Sequence, residues 1–287
     1  MPVPSWRSLL AAVAILAGFA APASAAESTE ELLRAAAQAY RKGDADEALR
    51  LANRAVEADP RSVDCWLTLA ALRDARREFD QAVDCYSRAI DLAPDTTLAW
   101  QRRGEDCFRL ARFKESVADF DKVIRLAPER APGHWQLGIS LYYAGEFERG
   151  ARQFELHRTV NPEDVENAVW HYLCVARTSG VAEAQQGLIP IHRDSRVPLM
   201  RIYAMYQGQA TADDVLAAAR AGDPGKNELR ERLFYAHLYI GLYEEAHGRI
   251  DPARDEIALA EKYADHGYMG DVARVHQTLI ARNAESK

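Results

Sequence analysis

The chain has little that a catalyst needs. None of its eight histidines stands in an HExxH or similarly tight ligand spacing. No GxSxG or GxGxxG falls in a strand–helix context, and no stretch reads as a clear strand. These absences point away from an enzyme and from a bound cofactor or metal. The four cysteines, Cys65, Cys85, Cys107 and Cys174, include no CxxC pair, which argues against metal or redox chemistry. All four fall in helical segments, which favours buried thiols. An exporting route would allow disulfides; three full pairings exist and the sequence does not choose among them. The net charge is −7 and there is no basic block, so nucleic acid and anionic membrane surfaces are poor candidate partners and no nucleic acid is expected. Glycine and proline are too sparse for a disordered chain, and 48% hydrophobic residues suit a folded helical one.

What is present is a period. Pro60, Pro94, Pro128 and Pro162 recur every 34 residues. Aligned on these prolines, Trp66 and Trp100 share one position. Four residues on come the small residues Ala36, Ala70, Gly104 and Gly138. Near the start of the second helix come Ala48, Ala82, Ser116 and Gly150, followed by Ala52, Tyr86, Phe120 and Phe154, and then by Ala55, Ala89, Val123 and His157. Spacings of three and four place these on one helical face. Small residues let two helices approach, and the rings fill the seam between one hairpin and the next. The fold class is therefore all-α, a solenoid of helical hairpins. Gly43 and Gly145 occupy the turns inside hairpins, where a positive φ is cheap. Arg77 and Ala111 replace glycine there, so those turns are expected to differ in geometry.

The pattern resembles the tetratricopeptide repeat over residues 29–164, as repeats 29–62, 63–96, 97–130 and 131–164. A fifth match, within residues 226–266, carries Ile240-Gly241, Gly248, Ala253, Ile257 and Ala260. Between them, residues 165–225 read as an irregular helical segment, with an apolar helix from Asn167 to Arg177. Residues 267–287 read as a C-terminal capping helix bearing Val272, Val275, Leu279 and Ile280. The resemblance implies a non-enzymatic scaffold whose first helices line a concave groove. By repeat phase, the partner-binding residues are Tyr40, Leu67, Phe108, Arg109, Trp135, Ile139, Tyr142 and Tyr143, with Leu33 beside them and Arg41, Asp74 and Glu105 adding mixed charge. Such a groove suits an extended peptide or a partner helix. Leu33, Ala37 and Thr68 stand where some family members carry a carboxylate clamp, so that clamp is not expected.

Residues 1–25 read as a signal peptide: Arg7, an apolar run from Leu9 to Ala20, then Ala23-Ser24-Ala25. The expected product is exported, periplasmic or secreted. No cysteine follows the run, so no lipid anchor is expected. Leu141-Tyr142-Tyr143 before Gly145, Trp170 to Leu173, and Tyr239 to Tyr243 are similar to motifs of the NlpI-like bacterial envelope lipoproteins over about residues 97–266. That likeness implies a dimeric envelope adaptor that brings peptidoglycan hydrolases to a protease. Two alternatives remain: a homodimeric structural component joined through its alanine-rich first repeat, and a hydrolase built around His171 and His192 in residues 165–225.

Overall fold

The computed structural model describes residues 27–285; the signal segment falls outside them. The described residues are helical, with no strand among them. They divide into two compact units at Pro128/Glu129, each taken by itself below.

The first unit holds three hairpins. They are α1 (Thr29–Arg41) with α2 (Ala45–Ala58), α3 (Val63–Ala75) with α4 (Phe79–Leu92), and α5 (Thr97–Arg109) with α6 (Phe113–Leu126). Short polar side chains start several helices. Ser28 and Glu31 form a capping box, with Glu31 Oε2 accepting from the Ser28 backbone N–H at 2.8 Å. Asp44 and Ser62 accept from the backbone N–H groups of Glu47 and Cys65. Each helix pairs with its hairpin partner, and α2 and α4 also pack on the helix that follows. Ala36, Ala70 and Gly104 sit at the crossings, all buried. The two tryptophans share a fixed attachment. Trp66 Nε1–H donates to the Pro60 carbonyl at 2.9 Å, and Trp100 Nε1–H to the Pro94 carbonyl at 2.8 Å. The proline that ends one hairpin thus anchors the ring opening the next, and both rings lie half-buried against the core.

The turns correct one expectation. Arg77 (φ 62°) and Ala111 (φ 57°) adopt the same left-handed backbone as Gly43 (φ 85°). The hydrogen bonds coincide as well: Gly43, Arg77 and Ala111 donate to the carbonyls of Tyr40, Asp74 and Phe108, and the next residues to those of Ala39, Arg73 and Cys107. The hairpin dictates the geometry, and the side chain bears the strain.

A 3₁₀ turn over Pro128–Gly133, at the boundary, leads into α7 (Trp135–Tyr143) and α8 (Phe147–His157) of the second unit. The Gly138–Phe154 crossing repeats that of the first unit: a Cβ on Gly138 would lie 2.6 Å from Phe154 Cζ. Then come α9 (Val165–Ser179), α10 (Val181–Gln186), α11 (Leu199–Tyr206), α12 (Ala212–Arg220), α13 (Lys226–Ala246), α14 (Ile250–Tyr263) and α15 (Tyr268–Glu285). Gly180 (φ 90°) stops α9, and a Thr211–Asp214 capping box starts α12. The α13–α14 pair restores the repeat contact, since a Cβ on Gly241 would meet Ile257 Cγ1 at 2.7 Å. Helix α9 is the hub: it packs against α7, α8, α10, α11 and α13. Its Trp170 is 2% exposed, ringed by Tyr142, Tyr143 and Phe154 at centroid distances of 5.5, 6.2 and 6.5 Å.

Candidate functional site

In the first unit the groove candidates are largely spent on packing. Phe108 is fully buried and Leu67 nearly so. Tyr40 packs half-buried against the core. Arg109 lies between two acids, with Nη1 2.5 Å from Asp106 Oδ1 and 3.1 Å from Asp74 Oδ1. Beside it, Glu105 accepts from Gln101 and Arg102, both at 2.9 Å. Burial, with the Asp74 charge adding to it, pushes the Asp106 carboxyl well above the usual carboxylate range. Burial raises Asp74 too, against the pull of Arg109. Burial also opposes ionisation of Glu105, but Arg102 and Arg109 outweigh it and hold that carboxyl low. The cluster is a buried charge network in the seam between hairpins. The alanines of the first repeat turn inward as well: Ala36, Ala48, Ala52 and Ala55 are fully buried.

In the second unit, Ile139 and Tyr142 are buried. Trp135 and Tyr143 remain half-buried, and the last helix meets both. Trp135 stands edge-on to Tyr268 at 5.2 Å, and the Tyr143 hydroxyl lies 3.0 Å from His276 Nδ1. Helix α15 therefore does more than cover a final face, since it supplies one wall of a cleft of about 270 Å³. Trp135 and Ile139 of α7 line this cleft, with Phe154 and His157 of α8, Tyr235 of α13 and Met269 of α15. Its polar side comes from Asp164, Glu166, Asn167 and Trp170, at the cap and first turns of α9, and from Arg196.

Asp164 is the N-cap of α9, its Oδ1 accepting from the Glu166 backbone N–H at 3.1 Å. Arg196 donates to Asp164 Oδ1 at 2.8 Å, Glu166 Oε1 at 2.6 Å and Asp194 Oδ2 at 2.6 Å. Tyr239 donates its hydroxyl to Glu166 Oε2 at 2.6 Å. Burial opposes the charge on Asp164, but the His157 ring and Arg196 outweigh it and hold that carboxyl low. For Glu166 burial wins over Arg196, with the Asp164 charge adding to it, and the carboxyl is pushed up to about 7. Deeper in, Asn167 Nδ2–H donates to the Phe154 carbonyl at 3.0 Å, which fixes the amide orientation. Asn167 Oδ1 and Trp170 Nε1 are buried and have no hydrogen-bond partner.

Of the residues selected by repeat phase, Trp135 and Ile139 reach the cleft. Glu166, Asn167, Trp170, Arg196 and Met269 lie outside the repeats, so phase could not find them; Asp164 ends the fourth repeat and Tyr235 lies within the fifth match, and neither is a repeat-phase groove position. One signal was available: an asparagine amid the apolar face of α9. His171 and His192 do not share a site. His171 is buried, with Nε2 3.4 Å from Glu155 Oε1, and burial lowers its pKa. His192 is exposed, with Nδ1 3.1 Å from Glu163 Oε1. Among the described residues no group of three His, Cys, Asp or Glu is placed to hold a metal ion, and no helix is long and apolar enough to cross a membrane.

The chain is similar to several proteins of known structure. A tetratricopeptide repeat protein from Parabacteroides merdae shares 15% identity with a TM-score of 0.57, over 89% of this chain and 100% of that one. The MamA protein shares 17% identity with a TM-score of 0.52, over 64% and 93%. A form of MamA from Desulfovibrio magneticus RS-1 running from residue 41 to its end shares 16% identity with a TM-score of 0.51, over 56% and 91%. At such identities the likeness concerns the fold. No curated protein matches the chain. Residues 39–102 match the tetratricopeptide repeat family. Residues 39–102 thus carry tetratricopeptide repeats, and hairpins of the same construction recur in both units.

Proposed function

We propose that this protein is a non-enzymatic, exported adaptor that holds a segment of a protein partner in the cleft of its second unit. The observation that carries this reading is the cleft itself. Trp135 and Tyr235 offer aromatic surface, a carboxylate–arginine network forms one side, and two buried polar atoms are left without partners. Tetratricopeptide repeats are a protein-binding architecture, and pockets that combine apolar walls with few polar groups are the usual form of a specific site. The signal-like residues 1–25 and the NlpI-like motifs support a partner in the cell envelope, such as a peptidoglycan hydrolase or a protease.

Cross-linking in the native envelope tests this, comparing the natural chain with a Trp135→Ala variant whose melting temperature is checked first. The expected result is a protein partner captured by the natural chain and lost from the variant. Equal capture by both overturns the cleft as the binding site. Turnover of a substrate by the purified chain, abolished on replacing His171 and His192, overturns the adaptor reading.

A further inference from the structure

The cleft of the second unit holds more negative charge than it answers. Asp164, Glu166 and Asp194 all accept from the one guanidinium of Arg196, at 2.8, 2.6 and 2.6 Å. His157 Nε2 stands 3.8 Å from Asp164 Oδ2 and contributes charge only when protonated. Tyr239 gives Glu166 a hydrogen bond but no charge. Even with Glu166 protonated, two acids face one guanidinium. The surplus is within reach of a guest, because the Asp164 and Glu166 side chains are each 15% exposed and both line the cleft. Glu166 accepts one side-chain hydrogen bond from Arg196 and one from Tyr239, whereas a carboxylate has about four acceptor sites. A further donor can therefore be taken.

The other walls select what carries that donor. Trp135 and Tyr235 are half-buried, which leaves part of each ring open to the cleft. The Tyr235 ring lies parallel to that of Tyr239 with centroids 6.3 Å apart, and Tyr239 holds Glu166, so ring and carboxylate share one corner. An anionic guest meets the carboxylates. A neutral polar guest leaves the surplus charge unanswered, and an apolar one strips its water as well. A metal ion finds no set of three His, Cys, Asp or Glu placed to hold it among the described residues. A basic side chain suits every wall: its cation answers carboxylates and lies over an aromatic face, and its methylenes cover Trp135 and Ile139.

Resting on the adaptor reading above, we propose that the cleft takes a lysine or arginine side chain of the partner segment, its stem against Trp135 and its cation shared by the Tyr235 ring and the Glu166 and Asp164 carboxylates.

The test is display selection of random twelve-residue peptides on the full chain, keeping those that Trp135→Ala fails to bind. The expected result is one fixed lysine or arginine. Changing it in the peptide to methionine or glutamine weakens binding by about tenfold or more. Glu166→Gln loses most of that discrimination. Affinity of the natural chain for the basic peptide rises from about pH 5.5 to about pH 8, because Glu166 gains its charge there while the peptide keeps its own. Asp164, Arg196, Tyr235 and Tyr239 around it do not change charge in that window. His157 is common to both chains, so the flatter profile expected of Glu166→Gln isolates the carboxyl. Trp135-dependent peptides with no fixed basic residue overturn this inference and leave the adaptor reading standing. So does a basic preference that Glu166→Gln leaves undiminished, which would trace it to general negative charge. Failure to select any Trp135-dependent peptide overturns the adaptor reading itself. The peptide substitutions are read on the natural chain, so misfolding of a variant cannot mask them.

Discussion

A Cβ placed on Gly104 would lie 2.7 Å from Cε1 of Phe120 and 2.9 Å from its Cδ1. The ring is fully buried and has no room to swing away. Gly104→Ala should therefore destabilise the protein, although alanine favours a helix by up to ~1 kcal/mol over glycine. Overpacking of this kind costs about 1–3 kcal/mol, so a net loss of about 1–2 kcal/mol is expected in urea denaturation. Adding Phe120→Leu should recover part of it. A stabilised Gly104→Ala would mean that the two hairpin helices are not in the contact described.

The turns at Arg77 and Ala111 make the opposite prediction. Their left-handed backbone costs roughly 1–2 kcal/mol for a residue with a Cβ. Glycine removes that strain but gives the unfolded chain more freedom, which returns about 0.5–1 kcal/mol. Ala111→Gly should stabilise the protein by about 0.5–1 kcal/mol, seen as a higher denaturation midpoint at unchanged slope. A loss of stability would show that the turn is not held at positive φ.

These two sites also show what the sequence could and could not reveal. The Gly104–Phe120 contact follows from the period, because a local pattern repeated in phase fixes which faces meet. The turn at Ala111 does not, because alanine there violates local preference and only the hairpin as a whole enforces the geometry. The cleft is the extreme case. Trp135 and Ile139 could be picked out by phase, but Arg196 and Met269 reach it from distant stretches where no repeat fixes the register, and Tyr235 from the separate fifth match. The division at Pro128 likewise falls within what reads as four even repeats.

The four cysteines are free and buried. Burial pushes the Cys85 thiol up to about 11 and the Cys107 thiol up to about 12, and it raises Cys65 and Cys174 as well. Little thiolate is then available at pH 8. Labelling by a thiol reagent should be slow in the native protein and count four thiols once it is unfolded. The melting temperature should not respond to reductant. A fall on adding dithiothreitol would reveal a disulfide.

Glu166 should give the second unit a pH-dependent stability. Its folded pKa, about 7, lies above the ordinary glutamate value near 4.3. Between those values the folded chain binds more protons than the unfolded one, so stability from this group falls as pH rises from about 4.3 through about 7. Glu166→Gln should remove that slope. The variant gains on the natural chain as pH increases from 5 to 8, read as a difference in denaturation midpoints. Parallel curves would show that Glu166 ionises as an ordinary carboxylate.

Repeat phase places Arg109 in the groove, but its two contacts with Asp74 and Asp106 make it a test of the first unit's core. Removing one partner of a buried ion pair leaves the other charge uncompensated, at a cost of about 3–5 kcal/mol. Burial already disfavours the charge on Asp106, so the loss falls mainly on Asp74 and on Glu105, which keeps Arg102. Arg109→Met should therefore cost about 3 kcal/mol at pH 7 and less at pH 4, where Asp74 can take up a proton. Joining Asp74→Asn to Arg109→Met should restore part of the loss, because one of the carboxyls left without Arg109 is then removed. If Arg109→Met instead leaves stability unchanged at both pH values, the guanidinium is not committed to the two acids.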